Sequence, residues 1–188
     1  MTNTNGVSSC HIADPGPLGL LAFGMTTVLL SAHNLGAYGL DSPVLSMGVF
    51  YGGLAQIVAG IFEFKRGNTF GATAFTSYGF FWLTFVAINT GIIPGAENDG
   101  VSVGIYFAMW GLLTLFLFIG TLRSNVSLRV VFATLAILFF LVAAKDLSGM
   151  ADIAYAAGAV GLVCGLTAVY SGAGTVVNAQ LGKTILPI

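Results

Sequence analysis

Charge is what this sequence has least of. Lys, Arg, Asp and Glu make up 7% of its 188 residues and 56% are hydrophobic, whereas roughly a quarter of an ordinary soluble domain is charged. A chain this short cannot enclose so much apolar surface in one water-facing globule. The composition, with a mean hydropathy of +0.94, therefore calls for lipid as solvent. Basic clusters are missing too: among six Lys plus Arg the longest run is Lys65-Arg66, so nothing can neutralise a phosphate backbone and nucleic-acid binding is excluded. Cysteine is scarce. Cys10 and Cys164 form neither a disulfide framework nor a metal set. His-Glu-x-x-His, a serine elbow and a phosphate loop are all absent. Gly67-Asn68-Thr69-Phe70-Gly71 lacks the Gly-Lys-Ser/Thr end and reads as a turn whose Asn68 or Thr69 caps the next helix. No enzyme chemistry, cofactor or metal is expected.

What the chain does have is apolar runs of membrane-spanning length. About 20 residues cross the hydrocarbon layer, and six windows qualify: 18–38, 44–64, 70–92, 101–122, 126–144 and 153–172. The fold expected is all-α, a polytopic membrane protein of six transmembrane helices. Residues 1–16 form a polar leader, 17–173 the six-helix transmembrane domain and 174–188 a short cytoplasmic tail. The first window has no basic region ahead of it and reads as a retained helix rather than a cleaved signal. The unbroken apolar stretch 133–141 argues against the alternating segments of a β-barrel. An even count puts both termini on one side, with Lys65, Arg66, Arg123, Arg129 and Lys183; Lys145 alone falls on the other. The positive-inside rule then makes both termini cytoplasmic, in the cell membrane.

Glycine is abundant, at 26 residues, and the pairs Gly48/Gly52 and Gly161/Gly165 repeat every four residues on one helical face. They serve either close helix packing or the narrowing of a path. Trp82 and Trp110 lie well inside their windows, as packing residues whose indole N–H groups need internal partners. Trp110-Gly111-Leu112-Leu113-Thr114 faintly echoes Phe23-Gly24-Met25-Thr26-Thr27, the pattern of two three-helix halves related by an inverted repeat.

Polar side chains gather on the first three spans. Thr26, Thr27, Ser31, His33 and Asn34 lie on the first, Gln56 on the second, and Thr76, Ser77 and Tyr78 on the third. Each hydroxyl can bond to its own helix, but together they offer the neutral donors and acceptors that suit a small polar solute or anion. Two groups stand out as pH-sensitive. His33 is a capping or entrance residue, and Glu63 is positioned to pair with Arg66 three residues on.

Longer motifs carry a resemblance. Asp14-Pro15-Gly16-Pro17-Leu18-Gly19-Leu20 followed by Phe23-Gly24 resembles the Asn-Pro-Ala/Val-Pro-Leu/Phe-Gly-Leu signature of the acetate uptake transporter family, which includes bacterial succinate-acetate permeases and fungal acetate or ammonia-export-associated proteins. Phe50-Tyr51-Gly52-Gly53-Leu54-Ala55-Gln56, Thr76-Ser77-Tyr78-Gly79 and Gly182-Lys183-Thr184-Ile185-Leu186-Pro187 match further stretches. The resemblance implies a hexamer of six-helix protomers, each with its own path for acetate, succinate or related carboxylates, moved in a proton-linked or channel-like way. It also implies a constriction containing Phe23, Tyr78 and an apolar residue between Leu135 and Leu138. Asp14 and Gly16 depart from the signature at the entrance; Asp14 keeps a capping oxygen. Export of another small solute such as ammonia, and a membrane oligomer without transport, are the alternatives.

Overall fold

The computed structural model describes residues 12–94 and 97–188; Cys10 and most of the expected leader lie outside the described residues. Among the described residues six helices are long and apolar enough to cross a membrane: α1 Gly16–Asn34, α2 Ser42–Arg66, α3 Thr69–Thr90, α4 Gly100–Thr121, α5 Val126–Ser148 and α6 Ile153–Leu181. Their starts follow from local chemistry. The Asn68 Oδ1 accepts from the Gly71 N–H (3.1 Å) and the Asn125 Oδ1 from the Leu128 N–H (2.8 Å), satisfying free donors at the heads of α3 and α5. Thr69 is the first residue of α3, and the capping role falls to Asn68. Gly67 and Gly182 end α2 and α6 in the left-handed conformation, with φ of 71° and 64°.

Three ends differ from the sequence windows. Helix α1 stops at Asn34 instead of 38 because the chain folds back: the Tyr38 hydroxyl donates to the Leu29 carbonyl at 2.7 Å. Helix α5 reaches Ser148, beyond 144. Helix α6 continues past 172 to Leu181, so the segment expected as a tail begins as helix. Gly172 does not break it; the position faces the Pro17 carbonyl and Leu21 of α1 with no room for a side chain. Beyond Gly182 the chain is tied down by Asn178, whose Oδ1 accepts from the Ile185 and Leu186 N–H groups at 2.7 and 3.0 Å. Helix α2 also opens into a π-helical segment at Phe50–Ala55, which the apolar pattern did not announce.

Chain neighbours pack side by side and α6 returns to α1, so the helices form a ring. The α1–α6 contact is the most extensive because glycine removes side chains from both sides: a Cβ on Gly24 would lie 2.7 Å from the Gly165 carbonyl oxygen, and one on Gly165 2.8 Å from that of Gly24. This is the packing use of small residues. The α3–α4 seam is the thinnest, and aromatic rings bridge it, with Phe81 at 5.3 Å from Trp110 and 6.2 Å from Tyr106 between ring centroids. Ile105, Met109, Leu112 and Phe116 are exposed on α4, an apolar face suited to lipid or a neighbouring subunit.

Candidate functional site

Four cavities run in file through the ring. At the face carrying the helix termini Gly16 and Leu181, a cavity of about 320 Å³ is bounded by Asp14, Glu63, Asn68, Asn125, Ser171 and Thr175. A space of about 20 Å³ follows, lined by Phe23, Gln56, Tyr78 and Leu135, and then one of about 30 Å³ lined by Phe23, Thr27, Ser31, Asn34, Leu135 and Leu138. The last, about 270 Å³, opens at the opposite face beside His33, Asn34, Asn89, Asn98, Lys145 and Asp146. Adjacent cavities share walls: Leu20 and Phe132 join the first pair, and Asn34 and Phe107 the last. Phe23 and Leu135 border both small spaces and thus form the partition between them.

Aromatic rings surround that partition. Tyr78 lies 5.9 Å from Phe23, 6.1 Å from Phe132 and 6.4 Å from Phe139 between ring centroids, and Phe23, Tyr78 and Leu135 are all buried. Of the two leucines suggested by the sequence, Leu135 forms the partition and Leu138 lines only the space on the far side. The Tyr78 hydroxyl meets the Thr114 Oγ1 at 2.9 Å. Thr114 has one hydroxyl proton and directs it to the Trp110 carbonyl at 2.7 Å, so Tyr78 is the donor. Thr114 is a residue that sequence reasoning missed; its only signal was the faint echo between Thr114 and Thr27.

The hydroxyls near the partition are already committed as donors. Thr27 donates to the Phe23 carbonyl at 2.8 Å and Ser31 to the Thr27 carbonyl at 2.7 Å, which leaves their oxygens only the capacity to accept. Gln56 is different: it is fully buried, it lines the 20 Å³ space, and its Oε1 has no hydrogen-bond partner. The Trp82 indole N–H, expected to find one, also lacks a partner.

Thr26, Thr76 and Thr69 do not line the four cavities. Thr26 donates to the Ala22 carbonyl at 2.8 Å and packs against Gly52 of α2, because it is turned about 100° from Thr27 on the helix. Thr76 faces Gly60 of α2, and its hydroxyl is unpartnered there. The expected Glu63–Arg66 pair is also absent. Arg66 pairs with Asp14, whose Oδ1 also accepts from the Gly16 N–H at 3.1 Å. Buried Glu63 instead accepts from the Asn68 Nδ2 at 2.9 Å. At the opposite face Lys145 pairs with Asp146 at 2.9 Å, a contact not anticipated although the two are adjacent in sequence. The His33 Nδ1 lies 2.9 Å from the Tyr38 carbonyl oxygen. Burial, reinforced by Asp41, raises the Tyr38 phenol above its ordinary pKa, which keeps it protonated as the donor to Leu29.

Comparison with known proteins bears on this arrangement. A family model described as the GPR1/FUN34/yaaH family matches residues 2–187. The succinate-acetate/proton symporter SatP of Escherichia coli (strain K12) is 51% identical over 97% of this chain and 98% of its own length. The ammonia transport outward protein 2 of Saccharomyces cerevisiae is 38% identical over 85% of this chain and 60% of that protein. Among solved structures, one described as the bacterial acetate channel SatP superposes with a TM-score of 0.91 at 50% identity, covering 95% of this chain and 99% of that one.

Proposed function

This chain belongs to the GPR1/FUN34/yaaH family, and on that premise we propose that it carries acetate and related small carboxylates across the cell membrane, in a proton-linked or channel-like way. The path is the file of cavities inside each protomer, and Phe23, Tyr78 and Leu135 form its neck. The observation that carries the reading is that Phe23 and Leu135 wall both small spaces at once, so a solute passing from one face to the other has to move them. Thr27, Asn34 and Gln56 supply polar contacts on the two sides of the neck, and Asp14 and Asn68 shape the entrance at the terminal face. The neck sets the barrier: a carboxylate entering it loses its water, whereas the undissociated acid avoids much of that cost.

Both termini lie in the cytoplasm in this reading, supported by the five cations on their face. The two halves α1–α3 and α4–α6 form an inverted repeat, supported by the motif echo, and six protomers assemble, supported by the family resemblance and by the exposed apolar face of α4. Flux of labelled acetate into proteoliposomes tests the path. Phe23→Ala and Tyr78→Ala at equal insertion alter rate or selectivity, and Gln56→Leu slows flux without dissociating the oligomer. Wild-type rate and selectivity in both neck variants would remove Phe23 and Tyr78 from the route.

A further inference from the structure

Of the three side chains at the neck, Phe23 and Leu135 carry no polar atom and are held by packing alone. Tyr78 is held at both ends. Its Cβ belongs to α3, and its hydroxyl donates across the α3–α4 seam to the Thr114 Oγ1 at 2.9 Å, the one hydrogen bond this hydroxyl makes among the described residues. The acceptor is itself fixed. Thr114 is fully buried and donates its own proton to the Trp110 carbonyl one turn back at 2.7 Å, and branching at Cβ restricts its χ1. The rest of the phenol is enclosed by the rings of Phe23, Trp110, Phe132 and Phe139, with centroids 5.9, 6.3, 6.1 and 6.4 Å away. None of these side chains offers a hydrogen-bond acceptor. A second tyrosine–threonine pair, Tyr106 of α4 with Thr84 of α3 at 2.7 Å, also crosses the seam. Thr84, however, is exposed and lines none of the four cavities.

We infer that Thr114 is a positioning residue of the solute path: it pins Tyr78 as the fixed wall of the neck, leaves Phe23 and Leu135 as the walls that yield, and thereby sets the size of acid that passes. It does not meet the solute, since it lines none of the four cavities. The seam it bridges is the thinnest in the ring, so helix packing alone does little to hold the phenol against α4. An acid small enough to pass with Tyr78 in place displaces only the apolar pair. A longer one has to push the phenol aside, which breaks the bond to Thr114 in surroundings that supply no second acceptor. That cost falls on the larger solute alone, so the pair governs selectivity more than rate. The inference rests on the reading that small carboxylates are the cargo, and adds a residue that acts through Tyr78.

Flux of labelled acetate and butyrate into proteoliposomes of the full chain, corrected for protein-free vesicles, tests it. Thr114→Val keeps the shape and deletes the acceptor. The butyrate-to-acetate ratio rises about fivefold, the factor equivalent to one net hydrogen bond of ~1 kcal/mol. Thr114→Ser keeps the acceptor and returns the wild-type ratio. Tyr78→Phe deletes the donor and raises the ratio to the same level, and on that background Thr114→Val changes nothing further. A wild-type ratio in Thr114→Val at equal insertion overturns the inference. So does an undiminished rise from Thr114→Val on the Tyr78→Phe background, because a residue acting through the packing of α4 needs no phenol. If Thr114→Val does not fold, Tyr78→Phe with a wild-type ratio overturns it instead. Zero flux of both acids through correctly inserted wild-type protein removes the transport reading and the inference with it; normal acetate flux with an unchanged ratio in the variants removes the inference alone.

Discussion

Glu63 shows what a single side chain settles in this protein. It is buried and accepts one hydrogen bond from the neutral Asn68, while the cation three residues on pairs with Asp14. Glu63→Gln removes the charge and keeps an oxygen for the Asn68 Nδ2, whereas Glu63→Leu keeps the bulk and deletes the acceptor. Thermal unfolding in detergent at pH 7 is expected to rank Glu63→Gln at or above wild type, and Glu63→Leu lower by roughly 1 kcal/mol for the lost hydrogen bond. A Gln variant less stable than the Leu variant would mean that the carboxylate is held by something other than Asn68. The neck gives a second prediction. Leu135→Ala merges the two small spaces, costs about 2–5 kcal/mol as a cavity-forming change, and raises the flux of monocarboxylates larger than acetate relative to acetate itself. An unchanged ratio in reconstituted protein would take Leu135 out of the selectivity barrier. Only part of this was legible beforehand. Phe23 and Tyr78 lie in recognisable motifs, but Leu135 sits in a uniformly apolar stretch where no periodic contrast tells the inward residue from its neighbours. Spacing proposed Glu63 with Arg66 and had no means of weighing Asp14, a competitor distant in the chain.

The six helices were legible because each needs a long apolar run, and that need is set by membrane thickness. Their ends were less so. The apolar window of α6 closes at 172, yet the helix continues through Gly172, where the Pro17 carbonyl of α1 comes close. The π-helical segment of α2 left no mark on hydropathy at all. It has a directional consequence, since Gln56 is the first residue after it and the wider turn accommodates an additional residue in the helix. One further residue inserted there, beyond what the wider turn absorbs, rotates the two ends of α2 by about 100° relative to each other. Leu54 is exposed, so its own side chain contributes little to the interior. Insertion of an alanine after Leu54 is expected to abolish acetate flux at normal membrane insertion, and Leu54→Ala to preserve it. Equal flux from the two proteins would show that the segment does not aim Gln56. Between α1 and α6 the controlling feature is backbone proximity. Gly24→Ala sets a methyl group 2.7 Å from a carbonyl oxygen, and the separation of the helices is expected to cost about 1–3 kcal/mol, read as a lower unfolding temperature.

Across the whole molecule, charge is arranged by face. Helices alternate in direction around the ring, so the five cations Lys65, Arg66, Arg123, Arg129 and Lys183 collect at the face bearing the helix termini Gly16 and Leu181, with only Asp14 and Glu63 to oppose them. The opposite face carries Asp41, Glu97, Asp99, Asp146 and Asp152, and its single cation, Lys145, is already paired. Insertion responds to Lys and Arg in short loops much more than to acids, which supports the proposed placement of the cation-rich face in the cytoplasm. Asn178 and Tyr170 bind the segment after α6 to that helix. The two faces can be probed with thiols, in a background lacking Cys10 and retaining the buried Cys164. Met150→Cys, exposed between α5 and α6, is expected to react with a membrane-impermeant maleimide in intact cells. Lys183→Cys, exposed after α6, is expected to react only after permeabilisation. The reverse pattern would put His33 and Lys145 on the cytoplasmic side and the five cations on the outer one. Labelling of both positions in intact cells would mean that α6 does not cross the membrane, and with it the ring and the path it encloses would be lost.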